Sequence, residues 1–139
     1  MNPIIKNTLV IIGGVAVGMI VNMGLIILGS KVVPPPEGID ATNSEGLKAG
    51  MELLKPINFI FPFLAHALGT LSGAWFVGRI AATHNRQLAL IIGLFFFSGG
   101  LIMIYQVGGP LWFKALDLIV AYLPMAWLGG KIGYGSGRF

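Results

Sequence analysis

Two side chains able to trade protons stand in stretches otherwise too apolar to hold them: His66, within Phe59 to Arg79, and Asp117, within Leu111 to Gly130. An imidazole or a carboxylate inside a bilayer is costly to leave alone, so such groups turn inward and pair with each other or line a wet cavity. As a pair they could accept and release a proton, which suits proton-coupled transport or gated permeation; they could equally hold a small polar ligand. Their depths agree. His66 lies 13 residues before Arg79 and Asp117 lies 14 before Lys131, which at about 1.5 Å per helical residue puts both roughly 20 Å from one membrane face. Asn22, 16 residues beyond Lys6, falls near the same layer, and Thr70 follows His66 by one helical turn. The expected ligand or proton site is therefore His66, Asp117, Asn22 and Thr70. A plainer alternative satisfies each group separately: Asp117 with Lys114, three residues earlier on the same helix, and His66 with a backbone carbonyl freed by Pro62.

The elements that must position these groups follow from composition. With 55% hydrophobic and only 10% charged residues, the chain is far from the roughly 25% charged of soluble proteins. A hydrocarbon core about 30 Å thick needs about 20 apolar residues per helix. Four such runs can be marked, at 8–30, 57–78, 88–107 and 111–130. The predicted fold is an all-α four-transmembrane-helix bundle in a single domain, residues 1–130, and the first run is read as a retained span, not a cleaved signal. The 21 glycines fit membrane helices, which pack through small residues. Gly14 and Gly18 form a GxxxG pair, which suits packing within the bundle better than dimerisation. Gly69 and Gly73 share a stripe with Pro62, His66 and Thr70.

The loop 31–56 is the one long polar segment and holds Glu37, Asp40, Glu45 and Glu52, four of the five acids. Pro34-Pro35-Pro36 stops the first helix. Thr42-Asn43-Ser44-Glu45 then reads as a capping box opening a short amphipathic surface helix, with Leu47, Met51 and Leu54 on one face and Pro56 at its end. The Gly- and Ser-rich tail 131–139 is expected to be a flexible cytoplasmic segment. Lys6, Arg79, Arg86, Lys131 and Arg138 fall on the side of the termini, against Lys31, Lys48, Lys55 and Lys114 on the other. The positive-inside rule then puts both termini in the cytoplasm of a bacterial inner membrane. Ala74 to Ile80 (AWFVGRI) echoes Ala126 to Ile132 (AWLGGKI); convergence on a Trp-plus-base interface anchor accounts for this slightly better than duplication of a hairpin.

Several functions are set aside. The basic residues are scattered singly, so the net charge of +4 is no nucleic-acid patch. Zero cysteines exclude thiolate metal sites and disulfides. There is no HExxH, G-x-S-x-G or P-loop, so no enzyme and no metal site is expected. One histidine at membrane depth makes a haem in a single chain a poor fit, and no cofactor is expected. The exit Val32-Val33-Pro34-Pro35-Pro36-Glu37-Gly38, the stretch Phe61 to Thr70, and Trp112-Phe113 with Asp117 together resemble an uncharacterised family of small four-span bacterial integral membrane proteins. That resemblance covers most of the chain and implies no activity. Two readings remain: a structural or accessory membrane component, which the sequence favours, with the lipid bilayer and a further copy or a larger membrane complex as its partners; and a small proton-linked transporter or channel using His66 and Asp117.

Overall fold

A computed structural model of the chain describes residues 1–135. It is all-helical, with no strand among the described residues. Helix α1 (Pro3–Val32), helix α3 (Ile60–Ile80) with the 3-10 turn Pro56–Phe59 before it, helix α4 (Asn85–Val107), and the pair α5 (Leu111–Val120) and α6 (Leu123–Gly135) are each long and apolar enough to cross a membrane. Short helix α2 (Ser44–Gly50) lies in the first loop, continued by a 3-10 turn at Met51–Leu53. The spans extend beyond the apolar runs at 8–30, 57–78 and 111–130, because helix continues through polar ends that stay hydrogen-bonded: Asn2 caps α1 by accepting from the Ile4 N–H. The stretch 131–135 is also helical, contrary to the expected flexible tail; Arg86 stacks over the Tyr134 ring and Lys131 over Trp127. The remainder of that tail, 136–139, lies outside the described residues.

Helix α3 is the centre of the bundle and packs against α1, α4 and α6. Lipid is as apolar as a leucine side chain, so burial alone does not drive spans together; close backbone approach does. Two glycine seams supply it. In the first, α1 crosses α3 with Gly14 against Gly73 and Gly18 against Gly69. A Cβ at Gly18 would meet the Gly69 carbonyl at 2.8 Å, and one at Gly73 would meet the Gly14 carbonyl at 2.5 Å. In the second, α6 runs beside α3 with Gly129, Gly130 and Gly133 against Leu71, Gly78 and Trp75; a Cβ at Gly78 would lie 2.6 Å from the Gly130 carbonyl. The echoed AWFVGRI and AWLGGKI stretches are thus neighbours across this seam. Phe96 fills the space left by Gly18, and Val77, Ile92, Ala74, Ala89 and Ala126 complete a core of small and branched side chains.

The ends are tied differently. At the terminal end, Asn7 of α1 clasps the α3–α4 turn: its Oδ1 accepts the Ala82 N–H at 2.8 Å and its amide donates to Thr83 Oγ1 at 3.0 Å. His84 takes a left-handed conformation (φ 55) to reverse the chain there. At the opposite, loop end, Asn43 caps α2 by accepting the Gly46 N–H at 2.7 Å, and its own amide donates to Asp40. Pro62 falls in the first turn of α3, where its missing N–H has no intrahelical partner to lose.

Candidate functional site

The fourth span is broken, and the break builds the site. Helix α5 ends at Val120 and α6 begins at Leu123, with Ala121 and Tyr122 in a turn between them. Pro124 explains this: it has no N–H to offer the carbonyl four residues back, that of Val120. The Ala121 N–H still bonds the Asp117 carbonyl and the Ala126 N–H the Tyr122 carbonyl, so the two rods stay in sequence. On an unbroken helix, residues five apart point about 140° away from each other. Here the turn lets Tyr122 reach back and donate its hydroxyl to Asp117 Oδ2 at 2.7 Å.

His66, from the central helix α3, meets the same carboxylate. Its Nδ1 lies 2.8 Å from Asp117 Oδ1 and 3.0 Å from Oδ2, and the Tyr122 hydroxyl oxygen is 3.1 Å from that nitrogen. The imidazole also stacks on the Tyr122 ring, with centroids 5.7 Å apart. With Asp117 ionised, the geometry fixes the tautomer: Nδ1 carries hydrogen and donates to the carboxylate. Asp117 is 2% exposed and Tyr122 1%, so the acid and the phenol are buried. The imidazole keeps 21% of its surface, and its Nε2 has no hydrogen-bond partner among the described residues. Nε2 is therefore the one atom of the cluster left for chemistry.

The imidazole, the partly exposed side chain of this cluster, borders a cavity of about 260 Å³. His66 and Asp117 lie at its floor; α1 and α4 wall it with Ile26, Gly29, Met103 and Ile104. Its roof is the first loop, where Leu47, Met51 and Leu54 all face in, so the apolar stripe expected on the surface helix is turned toward the bundle.

Of the four residues grouped from sequence, the structure brings His66 and Asp117 together and leaves the other two apart. Thr70 is fully buried one turn along α3, and its Oγ1 has no hydrogen-bond partner among the described residues. Asn22 does not reach the cluster. It packs at Gly69, where a Cβ would meet its own Cβ at 3.0 Å, it does not line the cavity, and its amide makes no hydrogen bond among the described residues. The depth count failed for Asn22 because α1 runs from Pro3 to Val32, a rod about 45 Å long, so Lys6 is no reliable marker of the membrane boundary. Neither separate-satisfaction alternative is found, since Asp117 binds His66 and not Lys114. Gly14, Gly18, Gly69 and Gly73 all sit in the α1–α3 seam. Tyr122 was not singled out; the available signal was a tyrosine deep in a span, whose hydroxyl needs a partner, beside a proline able to turn it.

No three His, Asp or Glu side chains among the described residues converge as metal ligands. No family model, curated protein or solved structure matches the chain.

Proposed function

We propose that this chain is a small proton-linked transporter or channel, not an enzyme, of a bacterial cytoplasmic membrane, with both termini in the cytoplasm and the cavity opening toward the outside. One observation carries the reading: an imidazole hydrogen-bonded through Nδ1 to a buried carboxylate, with Nε2 free of any partner among the described residues, lines a cavity inside an otherwise apolar bundle. A scaffold gains nothing from such an arrangement that an apolar pair would not provide more cheaply. A proton carrier needs it. Asp117 holds the ring and balances the charge that arrives with a proton at Nε2, while Tyr122 keeps the carboxylate from turning. Passage to the terminal end requires the glycine seams around Gly69, Gly73 and Val77 to part.

Purified protein in liposomes loaded with a pH-sensitive dye tests this. Under an imposed membrane potential, proton uptake should exceed that of empty liposomes, and His66→Ala and Asp117→Asn should each return it to the empty level. Uptake by the wild type no faster than by empty liposomes leaves the accessory-component reading, which the tightly closed seams favour.

A further inference from the structure

We infer that the cavity above His66 binds an electrically neutral amphiphile, an apolar chain ending in a hydrogen-bond acceptor such as an ester or ketone oxygen, with that oxygen accepting from His66 Nε2–H. The inference rests on the reading of Nε2 as the proton-exchanging atom and names the ligand class of that site.

Three observations select the class. First, the lining is mostly apolar, with Ile26, Leu47, Met51, Met103 and Ile104 facing in. Of the polar Ser30 and Asn58 that share it, the Ser30 hydroxyl already donates to the Ile27 carbonyl and Asn58 Oδ1 already accepts the Lys55 N–H, and a polar solute would forfeit its hydration against the rest. Second, both oxygens of Asp117 are engaged, by His66 and by the Tyr122 hydroxyl, so the carboxylate has little left for a ligand's donors, whereas His66 Nε2 has no partner among the described residues. Third, the charge must balance. Among the described residues Asp117 is the only Asp, Glu, Lys or Arg lining the cavity, so the cluster is neutral when Nε2 is protonated. A carboxylate or phosphate head would add a charge with nothing to compensate it in a low-dielectric site, whereas a neutral acceptor leaves the balance intact. The volume of about 260 Å³ lies just under the usual range of roughly 300–1,000 Å³ for small-molecule pockets, which suits one narrow chain.

A pH dependence follows with a definite sign. Nδ1–H is committed to Asp117, so Nε2 can donate only when His66 is protonated. The groups facing it are Asp117 and Tyr122 from the fourth span; α1, α2 and α4 bring no titratable side chain to the cavity. An acceptor-only ligand therefore binds more tightly as the pH falls.

The test uses full-length protein in nanodiscs with nitrogen-15 labelled histidine. The chain has 2 histidines, and a His84→Gln variant assigns the second, so the His66 ring nitrogens can be followed by NMR during titration with methyl decanoate, sodium decanoate or undecane. Methyl decanoate should shift the Nε2 signal saturably, with an affinity that rises as the pH is lowered. Decanoate should bind at least about tenfold more weakly than the ester, and undecane should leave Nε2 unmoved. By native mass spectrometry, His66→Ala should lose ester binding, and His66→Gln, a neutral donor, should keep it without the pH dependence. Equal or tighter binding of decanoate overturns the inference, as does an Nε2 signal that the ester never moves. Both readouts are independent of flux: binding without proton uptake would sink the transport reading alone, and uptake without ester binding would sink this one alone.

Discussion

Tyr122 and Thr70 are both buried hydroxyls, and they differ in whether anything answers them. The Tyr122 hydroxyl bonds Asp117 at 2.7 Å. Hydrogen bonds to charged groups contribute about 1.5–3 kcal/mol, so Tyr122→Phe should destabilise the protein by that order in a denaturant titration. Because the His66–Asp117 contact does not pass through the phenol, proton uptake should persist in this variant while His66→Ala abolishes it. Thr70 makes the opposite case. Its Oγ1 is buried without a partner among the described residues, and such a group costs about 1–3 kcal/mol. Thr70→Val removes the hydroxyl and keeps the shape, so it should raise Tm; a fall would mean that the hydroxyl has a partner under working conditions, such as water on a path below His66.

At the scale of helices, the glycine seams decide which spans are neighbours. Gly73→Ala sets a Cβ 2.5 Å from the Gly14 carbonyl. Backbone cannot yield as a side-chain tip can, so α1 must move outward at a cost of about 1–3 kcal/mol, more than the roughly 1 kcal/mol gained in helix propensity. Gly99→Ala is the matched control: a Cβ there meets nothing within 4 Å, so stability should hold or rise slightly. Unfolding of both variants in the same detergent checks the contrast. The broken fourth span belongs to this scale too. The run 111–130 was read as one unbroken span, and the direction in which Pro124 turns Tyr122 depends on α3 being present to receive the ring.

For the whole molecule, the proposed orientation, with the first loop outside and the termini inside, is directly testable. Residues Asn7, Ala82, Thr83, Arg86 and Tyr134 gather at one end, and the α2 roof with Lys48 is at the other. The chain has no cysteine, so single cysteines can be introduced cleanly. In intact cells, a membrane-impermeant thiol reagent should label Lys48→Cys and spare Arg86→Cys until the membrane is opened. The reverse pattern would place the cavity mouth in the cytoplasm and invert the direction of the proposed proton path.

The bilayer's demand for long apolar runs made the four spans and the capped helix of the first loop legible in the sequence, because each depends on hydropathy and local hydrogen bonding alone. The shared depth of His66 and Asp117 was legible as well, since rise per residue is constant and Arg79 and Lys131 mark one boundary. Rotation about the helix axis was not legible. Whether Asn22 would turn to the site or to Gly69, whether Gly14 would meet another copy or Gly73, and whether Tyr122 would find Asp117 all depend on how four rods settle against one another. That arrangement arises from contacts between residues dozens of positions apart, which no local pattern encodes. The cavity exists only because the loop roof closes over a gap left by α1, α3, α4 and α5.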